Sequence, residues 1–120
     1  MAKVMVVDDA YSDLALMESI LKGAGHQVVS LIDGEQLEDR LTAERPDVLL
    51  LDIIMPKRNG YEILRVLRKD DRTKQTRVVL VSSKNQDSDR AWGLKQGADE
   101  YLAKPFTADQ LLTAVRRFTR

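Results

Sequence analysis

The sequence predicts an α/β domain, a doubly wound parallel sheet with helices on both faces. Three observations predict it. Short continuous apolar runs occur five times in the 120 residues, at Val4–Val7, Val28–Ile32, Val48–Leu51, Val78–Val81 and Tyr101–Ala103. Between them the apolar residues recur three and four apart, and turn-forming residues separate the two rhythms. The first four runs are rich in valine, leucine or isoleucine and end at a polar residue, the pattern of strands buried on both faces. Strands alternating with helices give a parallel sheet covered on both sides, with right-handed crossovers.

The first run stops at Asp8-Asp9. Leu14, Met17 and Leu21 then mark a helix, and Leu16 with Ile20 widens its apolar stripe. Gly23-Ala24-Gly25 follows a helix and precedes a strand, the reverse of a dinucleotide-binding loop, and reads as a C-cap and turn. His26 falls in that turn. It is the only histidine, so histidine triads and histidine-based zinc sites are excluded. Val28–Ile32, broken by Ser30, has only Asp33-Gly34 beyond it, which suits an edge strand. Leu37 and Leu41 mark the second helix, and Arg45-Pro46-Asp47 the turn after it.

The third run ends at Asp52. Past Arg58-Asn59-Gly60, the residues Ile63, Leu64 and Leu67 mark the third helix. Arg65 to Arg72 mixes both charge signs and reads as a solvated helix end. The fourth run ends at Ser82-Ser83. The stretch 85–97 offers little but Ala91, Trp92 and Leu94, so it is expected to be the loosest helix. Trp92 reads equally well as core or as exposed surface. The fifth run leads to Lys104-Pro105. Thr107 with Gln110 has the capping-box spacing, and Leu111, Leu112, Val115 and Phe118 mark the last helix. Arg116, Arg117 and Arg120 suit its negative end and read as solvated charges.

Composition narrows the function classes. Lysine plus arginine equals aspartate plus glutamate at 19 each, which argues against bulk nucleic-acid binding. There is no cysteine, which removes disulfides and thiolate metal sites. No apolar run is long enough to span a membrane, and residues 1–7 are too short for a signal peptide. The expectation is one domain over residues 1–120 with no output domain, in the cytoplasm.

Sites in parallel sheets form beyond the carboxyl ends of strands. Those ends carry Asp8, Asp9, Asp52, Ser82 and Lys104. An aspartate after a strand is ordinarily a cap or turn former. Three carboxylates and one ammonium in one mouth would carry about −2, a costly concentration that a hard divalent cation would balance.

With Asp8-Asp9, Asp52-Ile53-Ile54-Met55-Pro56 followed by Gly60, then Ser82, then Lys104-Pro105-Phe106, the chain resembles the response-regulator receiver domain over essentially its whole length, in the stand-alone CheY-like form. The resemblance implies the flavodoxin-like (βα)5 fold with strand order 2-1-3-4-5, for which CheY is itself a standard example. It implies that Asp52 accepts a phosphoryl group from a histidine kinase, with small acyl phosphates as substitute donors. It implies Mg²⁺, with Mn²⁺ as a substitute, held by Asp9 directly, by Asp8 through water, by Asp52 and by the backbone carbonyl of Ile54. Lys104 is then expected near Asp52 and on the phosphoryl group, after a cis bond to Pro105. Ser82 is expected to be the switch hydroxyl and Tyr101 the switch aromatic. Output is expected through the fourth helix, fifth strand and fifth helix to a protein partner, with no nucleic acid and no membrane insertion. A monomer is expected, with dimerisation on phosphorylation left open. Ile54 and Lys84 stand where the family tunes phosphoryl lifetime, and an apolar Ile54 implies slow self-dephosphorylation. The stretch Asp89–Ala98 resembles regulators of type IV pilus (twitching motility) systems. Two other classes share these residues: a Mg²⁺-dependent phosphatase or phosphotransferase, for which 120 residues leave little room, and a flavodoxin-like cofactor module, whose phosphate loop is missing.

Overall fold

A computed structural model describes residues 2–119, so Arg120 lies outside the described residues. Five strands alternate with five helices: β1 Lys3–Val7, α1 Tyr11–Gly23, β2 Gln27–Leu31, α2 Leu37–Glu44, β3 Val48–Asp52, α3 Gly60–Lys69, β4 Val78–Ser82, α4 Asp87–Lys95, β5 Glu100–Ala103 and α5 Ala108–Arg116. All strand pairs are parallel, in the order β2-β1-β3-β4-β5. This is the flavodoxin-like arrangement.

Period-two alternation splits each strand between two cores. Met5, Val7, Leu49, Leu51, Val78, Leu80 and Tyr101 face one way, against Leu37 and Leu41 of α2 and Ile63, Leu64 and Leu67 of α3. Val4, Val6, Val48, Leu50, Val79 and Val81 face the other way, against Leu14, Met17 and Leu21 of α1 and Leu111, Ala114 and Val115 of α5. Burying each Val, Leu, Ile or Met side chain among them contributes roughly 1.5–3 kcal/mol. β1, β3 and β4 are buried almost throughout, and they are the strands that carry the predicted site residues at their ends.

Several sequence expectations need correction. β2 is the edge strand that the lone Asp33-Gly34 beyond it suggested, but its residues are half-buried or exposed, so its apolar run does not mark a strand covered on both faces. Ile32 lies beyond it and is exposed. Leu16 is exposed too, because the buried stripe of α1 is Leu14, Met17 and Leu21, and Leu16 projects well away from it around the helix. The third helix does not end in plain solvated charge. Arg68 is half-buried, donates to the carbonyls of Gly97, Lys74 and Thr76, and pairs with Asp99 at 3.0 Å. One guanidinium thereby satisfies the backbone of two loops at the amino ends of β4 and β5. Arg117 is likewise paired, with Glu100. Trp92 is exposed.

Candidate functional site

The carboxyl ends of β1, β3 and β4 converge because those strands are adjacent and in register. Val7 lies beside Leu51, and Asp52 beside Val81. The next residues, Asp8 and Asp9 on one side and Ser82 on the other, therefore flank Asp52. β5 adds Lys104 one residue past its end, where the Lys104 amide donates to the Ser82 carbonyl at 2.8 Å. The Lys104-Pro105 bond is cis, as expected.

Asp8 is fully buried and Asp52 is 6 % exposed, whereas Asp9 faces solvent. One carboxylate oxygen from each of the three lies within 4.8 Å of the others. Lys104 reaches into the cluster. Its Nζ stands 2.8 Å from Asp8 Oδ2, 2.9 Å from Asp13 Oδ2 and 3.8 Å from Asp52 Oδ1. Burial would lower the Lys104 pKa, but the hydrogen bonds to Asp8 and Asp13 outweigh it and hold the ammonium above its ordinary value. Asp52 moves the other way for a carboxylate. Burial first, then the neighbouring charges of Asp8 and Asp9, push it up to about 7 against the pull of Lys104.

Crowded hard oxygen donors with one exposed member fit a divalent cation of the Mg²⁺ kind. Oxygens gathered within 4.8 Å of one another are close enough to share one such ion, which keeps several of its waters when protein carboxylates bind it.

Asp52 is also fixed from behind. Gly60 opens α3, and its amide donates to the Ile53 carbonyl at 2.8 Å. A Cβ at that position would sit 2.5 Å from the Asp52 carbonyl oxygen. Only glycine lets the third helix start this close to the end of β3. Asn59 caps the helix, its side chain accepting from the Glu62 amide while Glu62 accepts from the Asn59 amide.

Ser82 is fully buried. Its Oγ accepts from the Lys84 amide at 3.1 Å, closing the turn after β4. The Lys84 carbonyl accepts from the Tyr101 hydroxyl at 2.6 Å. Ser82, the turn and the Tyr101 ring thus form one connected chain. Tyr101 is inward and buried, and burial pushes its phenol up to about 12. Ile54 and Lys84 are both exposed and line one depression with Met55 and Asn59.

Asp13 was not anticipated from the sequence. It sits in the first turn of α1, where an acidic residue is explained by the helix dipole alone. Its partner Lys104 is 91 residues away. The one available hint was its position a helical turn beyond Asp9.

Residues 4–116 match the family described as the response regulator receiver domain. Protein PilH of Pseudomonas aeruginosa is 37 % identical, the match covering 96 % of this chain and 95 % of PilH. The chain spans half the length of the transcriptional regulatory protein CpxR of Escherichia coli, at 39 % identity over all of its own 120 residues. Among solved structures, the chemotaxis protein CheY4 of Vibrio cholerae is 30 % identical with a TM-score of 0.88, covering 98 % of each chain. The receiver domain of sensor histidine kinase PA1611 of P. aeruginosa, solved with magnesium coordinated in its active-site cleft, is 26 % identical with a TM-score of 0.88 over 98 % of this chain and 96 % of its own. A whole-length match in sequence and fold thus coincides with a buried carboxylate flanked by two more and an ammonium, and the chain belongs to the response regulator receiver domain family, phospho-accepting signalling modules of two-component systems rather than conventional enzymes.

Proposed function

We propose that the protein is a stand-alone response regulator, a single domain over residues 1–120, that takes a phosphoryl group from a histidine kinase onto Asp52 and signals to a protein partner in the cytoplasm. The observation that carries this reading is Asp52 itself. It is a nearly buried carboxylate with Asp8 and Asp9 within 4.8 Å and the Lys104 ammonium at 3.8 Å.

In the transfer the N–P bond of a phosphohistidine breaks as a bond from an Asp52 carboxylate oxygen to phosphorus forms. Asp9 directly, Asp8 through water, Asp52 and the Ile54 carbonyl would hold Mg²⁺, which when bound neutralises charge on the phosphoryl oxygens. Lys104 stands close enough to follow that charge from the carboxylate to the phosphoryl group. Ser82 supplies a hydroxyl one strand over. Once it donates to a phosphoryl oxygen, its turn draws inward, and the hydrogen bonds through Lys84 carry the movement to Tyr101. Tyr101 lies under α4, where Gly93 leaves no side chain between helix and ring. The output surface is accordingly α4, β5 and α5. Among the described residues no helix is long and apolar enough to cross a membrane. Resemblance to PilH and to a chemotaxis CheY supports a role in motility control of the type IV pilus kind. The exposed, apolar Ile54 offers an attacking water no hydrogen bond, which supports a long-lived phosphoryl group.

Incubation with acetyl phosphate and Mg²⁺, followed by intact mass, tests the core of this reading. The wild type is expected to gain one phosphoryl group, and Asp52→Asn or added EDTA to abolish the gain. Labelling that persists in Asp52→Asn would move the acceptor elsewhere. No labelling from acetyl phosphate or from any histidine kinase would sink the assignment.

A further inference from the structure

Lys104 is not aimed at Asp52 in this structure. Its two short contacts are to Asp8 and Asp13, and Asp52 is third at 3.8 Å. The Asp8 carboxylate is shared out: Oδ1 accepts from the Ala10 amide at 2.9 Å, and Oδ2 from Lys104. Each Asp8 oxygen thus already accepts one hydrogen bond, and a cation or water that draws on Oδ2 meets the ammonium there. A cation drawing on Asp8 and the Lys104 ammonium 2.8 Å from that carboxylate repel each other.

Asp13 bears on that repulsion. It is anchored on the first turn of α1, its side chain is 40 % exposed, and it lies outside the Asp8, Asp9 and Asp52 cluster. It can keep the ammonium paired while Asp8 turns to the cation, because its own contact with Lys104 is already made at 2.9 Å. Without it, the ammonium has only Asp8 and Asp52 as partners, and every position left to it opposes the cation. We propose that Asp13 is a positioning residue that gives Lys104 a second anchor and thereby lets Asp8 serve a divalent cation. The proposal rests on the reading of the acidic cluster as a Mg²⁺ site.

The experiment is a Mg²⁺ titration of the unphosphorylated full-length protein, followed by amide NMR shifts of Asp9 and Asp52. Asp13→Asn and, in parallel, Asp13→Ser are expected to weaken Mg²⁺ binding about two- to fivefold, as befits one partly exposed ion pair. Asp13→Glu should restore it. The effect of Asp13→Asn should vanish in a Lys104→Met background, because the proposed action runs through the ammonium. An equal loss in that background would make Asp13 a bare distant charge and overturn the proposal, as would unchanged affinity in Asp13→Asn and Asp13→Ser. If the wild type shows no saturable Mg²⁺ binding, the reading of the cluster falls and the proposal with it. Saturable binding in the wild type with unaltered variants overturns the proposal alone.

Discussion

Two consecutive units of the same chain, β3–α3 and β4–α4, are built alike as far as their strands and quite differently in their helices. Both strands are buried along their length, and both end in a polar residue withdrawn from solvent, Asp52 and Ser82. α3 then buries Gly60, Ile63, Leu64 and Leu67, is capped reciprocally by Asn59 and Glu62, and is tied down at its far end by Arg68. α4 buries Gly93 alone and turns Trp92 and Leu94 to solvent. What contact it keeps with the sheet comes in part from Arg90, which bonds the Tyr101 carbonyl and the Glu100 carboxylate. Asp52 stands on a platform that resists displacement, whereas Ser82 is followed by a helix that can shift with little loss of apolar burial.

Breaking the platform gives the largest expected effect. Ile63→Ala empties a fully buried position between α3 and the sheet and should cost about 2–5 kcal/mol by chemical denaturation. Leu94→Ala, the comparable change on α4, should stay within about 0.5 kcal/mol. Equal losses would erase the contrast.

Gly60→Ala comes next, at about 1–3 kcal/mol, because the added carbon meets backbone atoms of Asp52 and Ile53 that cannot rotate away. Acceptance of phosphate from acetyl phosphate should fall along with stability. A variant that is destabilised yet labels at the wild-type rate would show that the close approach of α3 does not position Asp52.

The smallest effect concerns charge. Asp52 is raised from 3.8 to about 7, so the folded chain holds this proton more tightly than the unfolded chain does. The group favours folding at low pH, and that contribution is lost as pH climbs from about 4 through about 7. Asp52→Asn removes this slope. In the absence of divalent cation it should leave the variant more stable than wild type above pH 7, by on the order of 1–2 kcal/mol, given solvent access to the cleft. Mg²⁺ should narrow the gap by stabilising only the wild type. A stability difference that does not change with pH would refute it.

Much of this was legible in the sequence, and the limits have physical causes. Strands covered on both faces leave continuous apolar runs, so β1, β3 and β4 stood out, and the residues ending them followed directly. β2 left the same kind of run, yet its place at the sheet edge leaves Val28 and Val29 only half covered. The apolar run alone does not tell those cases apart; the lack of site residues beyond Leu31 did. Long polar side chains were the least readable. Arg68 and Asp13 each had a sufficient local explanation, as a helix-end cation and a helix-start anion, while their partners Asp99 and Lys104 lay far along the chain. The weakness of α4 was readable because it is an absence of apolar residues, which needs no knowledge of partners.

The tether between Tyr101 and the turn after Ser82 ends on a main-chain carbonyl rather than on a side chain. Every amino acid supplies that oxygen, so exchanging Lys84 for another residue leaves the acceptor in place. The side chain at 84 is exposed and takes no part in that bond, so it can be exchanged without unfastening the tether.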